Sequence, residues 1–404
     1  MSVEGLKRKV GEMGRVQGGR QRSPHLVEGP MTPYLRVANV FDGYIDTSDV
    51  LEMPFSAAEY ERYELKPGDL LLNEGQSLEL VGRCAKYEGL PKGCCFQNTL
   101  VRFQAGPECD TDYAYQLFRW CQYTGIFALI ATKTNSIAHL GSTRFAELAL
   151  PFPPLPEQRK IAAILSTWDD SLATLTNLLA AKRQQKRGLA EALLTGKKRL
   201  KGFEGEWEEK RIDDLFKEVT RFVDWDDSAI YRQAIVRRWS QGITTRDDLE
   251  GEKIKVKKLQ KVKLNDFLIS NIQAAYGAMA KVGDAEQGLF VSNLYTILEA
   301  REGLGDVDYF DQFSRLPQME QLVIASSNGF KAERIRLNFD PKTFLKQKIF
   351  VPPTFSEQKA IAFVLSTLDA EIASLEALKA KVQEQKRGLM DELLTGRVRV
   401  RVQE

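Results

Sequence analysis

The phrase QKRGLAEALLTG, residues 185–196, returns as QKRGLMDELLTG at residues 385–396, an offset of 200 in a chain of 404. Laid over each other without a gap, residues 157–196 and 357–396 agree at about half of their positions. The matches include the EQ at Glu157 and Glu357, Ile161-Ala162, and the LST at Leu165 and Leu365. A period this long is several times that of any solenoid unit, so the duplicated piece is a whole domain with an appendage.

Within each copy the apolar residues step by four and three. They are Ile161, Leu165, Trp168, Leu172, Leu175 and Leu179, then Ile361, Leu365, Leu368, Ile372, Leu375 and Val382. That spacing is a coiled-coil seam. Prolines precede each run (Pro153, Pro154, Pro156; Pro352, Pro353), Glu157 and Glu357 put an acid where the helix dipole favours it, and Thr195-Gly196 and Thr395-Gly396 end it. Each helix of about 40 residues is a rod of about 60 Å. A generic amphipathic helix buried on its own domain would also carry one stripe, but two matching seams favour mutual pairing.

The stretches before the helices echo one another more faintly. YLRVANV at Tyr34 answers YRQAIVRR at Tyr231, KPGDLLLNEG at Lys66 answers KLNDFLISNI at Lys263, and FQNTLVRFQA at Phe96 answers FVSNLYTILEA at Phe290. Short β-rich runs (DLLLN, NTLVRF, KIKVKKL, LYTILEA) mix with helices expected over residues 113–123 and 307–325, so the fold class is α+β. The expected order is a globular domain at 1–152, a helical region at 153–200, a second domain at 201–351 and a second helical region at 352–404. A short connection after the first helix favours antiparallel pairing, with one domain at each end of a rigid spacer and a pseudo-twofold axis relating the halves. Four residues inserted near Ala180 would then lengthen the spacer by about 6 Å.

Composition narrows the chemistry. No stretch approaches the roughly 18 unbroken apolar residues of a membrane span, and the start, with Lys7, Arg8 and Lys9, lacks a signal peptide's apolar core, which points to the cytoplasm. Five cysteines without a C-x-x-C pair, and only His25 and His139, argue against a zinc site. Net charge is +2, yet residues 182–201 hold eight basic residues and one acid, and residues 253–263 hold six lysines and no acid. Such runs suit a polyanion, although a solvated face is their commoner role.

The sequence carries no recognisable catalytic constellation. TGKK at Thr195 lacks the first glycine of a phosphate loop and follows a helix instead of opening one. FPPL at Phe152 and VPPT at Val351 lack both the Asn or Asp and the stacking aromatic of an adenine-methylating loop. The acids Asp224, Asp226 and Asp227 read as turn residues.

The double P-x-x-x-E-Q-[RK]-x-I-A-x-[IV]-L opening, at Pro153 and Pro353, with the double QKRGL…LLTG ending, resembles the specificity subunits of type I restriction-modification systems. The resemblance covers the whole chain. It implies two globular target-recognition domains separated by two long antiparallel helices, and a non-catalytic subunit that reads a bipartite, asymmetric DNA target. Double-stranded DNA, two modification subunits and ATP-driven restriction subunits are the implied partners. S-adenosylmethionine, ATP and magnesium are expected on those partner subunits and not on this one.

By the same analogy the bases would be read from loops after the GDLLLN-type strand and from the polar turn before the last strand. These are Asn73, Gln76, Ser77, Lys133, Asn135 and Ser136 in the first domain, and Asn271, Gln273, Tyr276, Ser327, Asn328 and Lys331 in the second. Asn and Gln suit adenine, and Arg or Lys suits guanine, in the major groove; ordinary turn chemistry explains Asn and Ser equally well. Arg237 and Arg238 beside Trp239, with Lys255, Lys257 and Lys258, suit phosphate. Arg183, Lys186, Arg187, Lys386 and Arg387 are expected mostly off the seam, as docking residues for the modification subunits. Two rival readings stay open on the sequence: an enzyme with a diverged motif, and an adaptor whose coiled coil binds only protein.

Overall fold

The computed structural model describes residues 7–21, 29–329 and 337–401. The chain folds into two compact units, Met1–Thr176 with Ala377–Glu404, and Asn177–Glu376.

The first unit contains β1 (Gly14–Gly18), β2 (Leu70–Asn73), β3 (Gly75–Gln76), β4 (Cys84–Lys86), β5 (Leu100–Ala105), α1 (Thr111–Tyr123), β6 (Thr132–Thr134), β7 (Ile137–His139) and the start of α2 (Leu155–Leu194). An antiparallel sheet in the order β1-β5-β2-β4 is its centre, with Leu70 opposite Phe103 and Leu72 opposite Val101. The run LLLN reads as continuously apolar because both faces of β2 are covered. Leu70 and Leu72 face a core built on α1, while Leu71 faces a second cluster with Leu35, Tyr87 and Phe96.

The second unit repeats this plan. It contains β8 (Phe216–Val219), β9 (Phe267–Ser270), β10 (Met279–Lys281), β11 (Tyr295–Ala300), α3 (Val307–Phe313), α4 (Pro317–Ala325), β12 (Ser327–Asn328), β13 (Asn338–Phe339) and the start of α5 (Phe355–Leu394). Its sheet order is β8-β11-β9-β10, and Phe267 and Ile269 face one core while Leu268 faces another. Two expectations need correction. The helix expected over 307–325 is broken, because Pro317 cannot donate within a helix and instead opens α4 at its first turn. KIKVKKL forms no strand before Leu259: Ile254 is buried in a small cluster but Val256 is half exposed, so the alternation has no sheet to face.

Both long helices are 40 residues, unbroken. In the first unit Ile161, Ala162 and Leu165 from the start of α2 share a core with Met390, Leu393 and Leu394 from the end of α5. In the second, Leu193 and Leu194 from the end of α2 share a core with Ile361, Ala362 and Leu365 from the start of α5. The helices therefore run antiparallel in each unit.

The repeated EQ has a defined job. Glu157 accepts from Arg399 at 2.7 and 2.5 Å, and Glu357 accepts from Arg199 at 2.8 and 2.7 Å. The Arg399 hydrogen bonds hold the Glu157 carboxyl below its usual range, against the opposing effect of burial. Gln158 accepts from the Asp110 N–H and donates to the Glu108 and Pro153 carbonyls; Gln358 does the same at Asp306 and Leu304. Each glutamine thus ties the entry of a long helix to the turn before α1 or α3. Gly196 and Gly396 end the helices at φ +72° and +74°, with N–H bonds from Lys198 to Ala192 and from Val398 to Glu392 that satisfy the last carbonyls.

All five cysteines are free and buried in the first unit, and burial pushes Cys94, Cys95 and Cys109 up to about 12, which keeps them protonated at neutral pH. Among the described residues no helix is long and apolar enough to cross a membrane, and no group of His, Cys, Asp and Glu is placed to hold a metal.

Candidate nucleic-acid interface

In the first unit, two of the loops singled out from sequence meet on one small sheet, ordered β6-β7-β3. Ala138 of β7 lies between Lys133 and Gln76, so the three form one cross-strand row whose middle residue is buried and whose outer two are polar. Asn135 and Ser136 form the two-residue turn of the β6-β7 hairpin, and Asn135 takes φ +50°, the left-handed conformation such turns require. Lys133, Asn135 and Ser136 are exposed; Gln76 and Ser77 are half-buried, the Gln76 carbonyl oxygen accepting from the Ser77 N–H at 3.0 Å.

Asn73 does not belong to this surface. It is fully buried, its amide donates to the Val40 carbonyl at 3.2 Å, and its backbone pairs with Gly82 and Arg83. A residue at the end of a fully buried strand fills a structural role, and its amide cannot reach a base.

The second unit builds the corresponding surface with different side chains. β12 pairs with β13, and the Phe339 N–H of β13 reaches the Asn271 carbonyl at 3.0 Å, as the Leu140 N–H after β7 reaches Glu74 at 2.8 Å in the first unit. Asn271 accepts from the Thr296 hydroxyl at 2.8 Å, leaving its amide nitrogen as the group with capacity for a ligand. Gln273 and Tyr276 are half-buried and Asn328 is exposed. Ser327 needs correction: it is buried, with its hydroxyl donating to the Val323 carbonyl, so it caps α4. Lys331 lies outside the described residues.

The cations separate by partner. Lys257 is 2.6 Å from Asp227, whose carboxyl that bond holds below its usual range, and its ammonium also sits over Trp225. It is therefore less available to phosphate than the sequence suggests. Arg237, Lys255 and Lys258 are exposed, with no carboxylate at ion-pair distance among the described residues. Arg238 lies over the Tyr276 ring, 4.9 Å from its centre.

Trp239 was not among the residues chosen from sequence. It is 65% exposed, meets Tyr276 edge-on at 5.7 Å, and with Ser240 takes φ +60° and +52°. Two successive non-glycine residues in the left-handed region cost free energy, and here N–H bonds from Trp239 to Tyr276 and from Ser240 to Gly277 hold them there. The pair lines a cleft of about 490 Å³ with Tyr276, Met279, Arg315 and Leu316. The signal for it was the run RRW, where an aromatic follows two arginines.

The docking residues on the helices also divide. Continued past Leu179 and Val382, the four-three step runs through Lys182 and Lys186, and through Lys386, so these lysines occupy seam positions. Lys186 pairs with Asp369, and Lys386 is 4% exposed and pairs with Asp169. Neither is on an open face, which corrects the expectation for both. Arg183, Arg187 and Arg387 are exposed; Arg183 reaches Glu376, and Arg387 lies over the Tyr123 ring.

Comparison with known proteins matches this architecture. A type I restriction enzyme specificity subunit named MjaX, of Methanocaldococcus jannaschii, is 25% identical over 386 residues, spanning 91% of this chain and 88% of its own. The MjaVIII specificity subunit of the same organism is 22% identical over 398 residues, 86% of each chain. The crystal structure of the type I restriction-modification S subunit from M. genitalium superimposes with a TM-score of 0.57 at 15% identity, covering 96% of this chain and 95% of that one. A structure described under assembly and conformational transition of the type I restriction-modification system gives 0.56 at 14%, covering 97% and 98%. The family model for the type I restriction modification DNA specificity domain matches twice, at residues 6–182 and 204–384, once for each copy of the repeat, and the chain belongs to that family.

Proposed function

We propose that the chain reads a bipartite, asymmetric DNA sequence, one half-site per recognition domain, and assembles in the cytoplasm with two modification subunits and with ATP-driven restriction subunits. S-adenosylmethionine, ATP and magnesium are held by those partners. The observation that carries this reading is a short strand pair bonded, in both units, to the segment that follows the buried sheet strand, with different polar side chains: Gln76, Lys133 and Asn135 in one unit, Asn271, Gln273 and Asn328 in the other. Amide and ammonium groups suit base edges in the major groove, and dissimilar surfaces give dissimilar half-sites.

The test is methylome sequencing of cells carrying this subunit with its modification subunits. A single motif of two unlike half-sites around an unread gap is expected, and it disappears when the subunit is deleted. A continuous motif, or methylation that persists without the subunit, contradicts the proposal. Methyl transfer by the purified chain alone would favour the enzyme reading instead.

A further inference from the structure

One carboxylate in each unit gathers three helices. In the first, Asp169 of α2 accepts from Gln116 at 2.7 Å and Arg119 at 3.1 Å, both on α1, and from Lys386 of α5 at 2.6 Å. Lys386 also donates to the Gln116 carbonyl oxygen at 3.2 Å. In the second, Asp369 of α5 accepts from Gln312 of α3 at 2.9 Å, from Arg315 just beyond α3 at 3.4 Å, and from Lys186 of α2 at 2.5 Å. The same four residue types thus occupy matching places in both units.

The groups behind the arginines differ. Arg119 is held a second time by Asp42 at 2.8 Å, which lies far back in the chain, whereas Arg315 is held by Asp311 at 2.6 Å, one turn earlier. The node has survived a divergence that altered the residues around it.

Stability does not account for that. Burial strips water from the Lys386 ammonium and pushes its pKa down. The Asp169 carboxyl, which burial alone would raise, is held below its usual range by Arg119 and Lys386. Well-packed apolar groups in place of a buried ion pair are often as stable or more so, and most neighbouring seam positions already hold leucine or isoleucine. What apolar packing lacks is direction. Hydrogen bonds weaken steeply as their angle departs from linear, whereas apolar burial depends on area alone. A node of this kind adds a directional restraint on the swivelling of α1 or α3 about the long helices to the restraint that the close-packed core already supplies.

We propose that Asp169 and Asp369 are positioning residues that fix the angle of each recognition domain on the helix pair and so restrict the protein to one length of unread DNA. The inference rests on the bipartite reading above. One added base pair moves a half-site by about 3.4 Å and turns it by about 34°, a displacement that a domain free to swivel would follow.

The test uses the full chain in complex with its modification subunits and measures methyl transfer to duplexes carrying the motif with the native gap, one base pair fewer and one more. Two variants are compared: Asp169→Asn with Asp369→Asn, and an apolar set of Asp169→Leu, Lys386→Met, Gln116→Leu, Asp369→Leu, Lys186→Met and Gln312→Leu, in which the amides that the carboxylates satisfy are replaced with them. Both should keep the half-site sequences, and the apolar set should keep the wild-type melting temperature. The preference for the native gap should fall on the order of tenfold, the scale of losing a charge-assisted hydrogen bond. The apolar set decides the matter where the asparagine pair loses stability. Unchanged gap preference in a folded variant overturns the inference. A wild-type complex that methylates no gapped duplex overturns the bipartite reading and this inference with it.

Discussion

Four residues inserted after Ala180 and four more after Ala380 are expected to move methylation to targets whose unread gap is about one to two base pairs longer, with both half-sites unchanged. Four helical residues add about 6 Å, against about 3.4 Å per base pair of DNA. The insertion must be made in both helices. Each unit holds its own pair, Asp169 with Lys386 and Lys186 with Asp369, and equal insertions in both helices leave both pairs able to form. Four residues are also about 40° more than a full turn of a straight helix, a stutter that a coiled coil absorbs by unwinding locally. On the original spacing the variant cannot seat both domains, and each lost base-pair contact costs about 1–3 kcal/mol. Two inserted residues would instead turn the seam by about 200° and abolish assembly. Methyl transfer across a series of gap lengths reads all of this. A doubly lengthened protein active only on the original gap would show that the helices do not set the spacing.

The second large effect concerns salt. Changing Arg237, Arg238, Lys255 and Lys258 together to alanine should flatten the dependence of DNA affinity on salt by about 3.6 in a double-logarithmic plot, if each meets one phosphate. Between about 50 and 200 mM salt the variant would then lose about a hundredfold less affinity than the wild type. Lys257 and Arg232 supply the contrast, since each is already paired to a carboxylate, Asp227 and Asp248. Alanine at those two positions should change the slope little. Equal effects from the two sets, measured by titration of the assembled complex, would mean that local ion pairing does not determine which cations meet DNA.

The long helices were legible because a four-three apolar step, a proline entry and a glycine exit all point one way, and the structure places both helices within two residues of the expected ends. The strands at Leu70 and Tyr295 were legible for a similar reason, as apolar runs bounded by turn residues. Elsewhere the one-dimensional signal pointed the wrong way. Lys186 and Lys386 read as surface residues because lysine is rarely buried, and only a carboxylate 183 or 217 residues away makes their seam positions tolerable. Asn73 and Ser327 read as base contacts because polar residues in loops often are, whereas here they satisfy buried backbone groups. KIKVKKL alternates like a strand, but alternation cannot report whether a neighbouring strand exists to pair with it. The run RRW marks Trp239 only as the neighbour of Arg237 and Arg238, whereas its prominence comes from a strained turn pinned to Tyr276 and Gly277, a contact that no local pattern encodes.

The central claim is that each unit reads its own half-site. Exchanging residues 1–151 for the corresponding domain of a relative, with both long helices left intact, and then mapping the methylated motif tests it most directly. The helices stay because Met390, Leu393 and Leu394 of α5 complete the first unit's core. The account predicts that one half of the motif is replaced while the other half and the gap length are kept. A motif altered in both halves, or altered in neither, would contradict it.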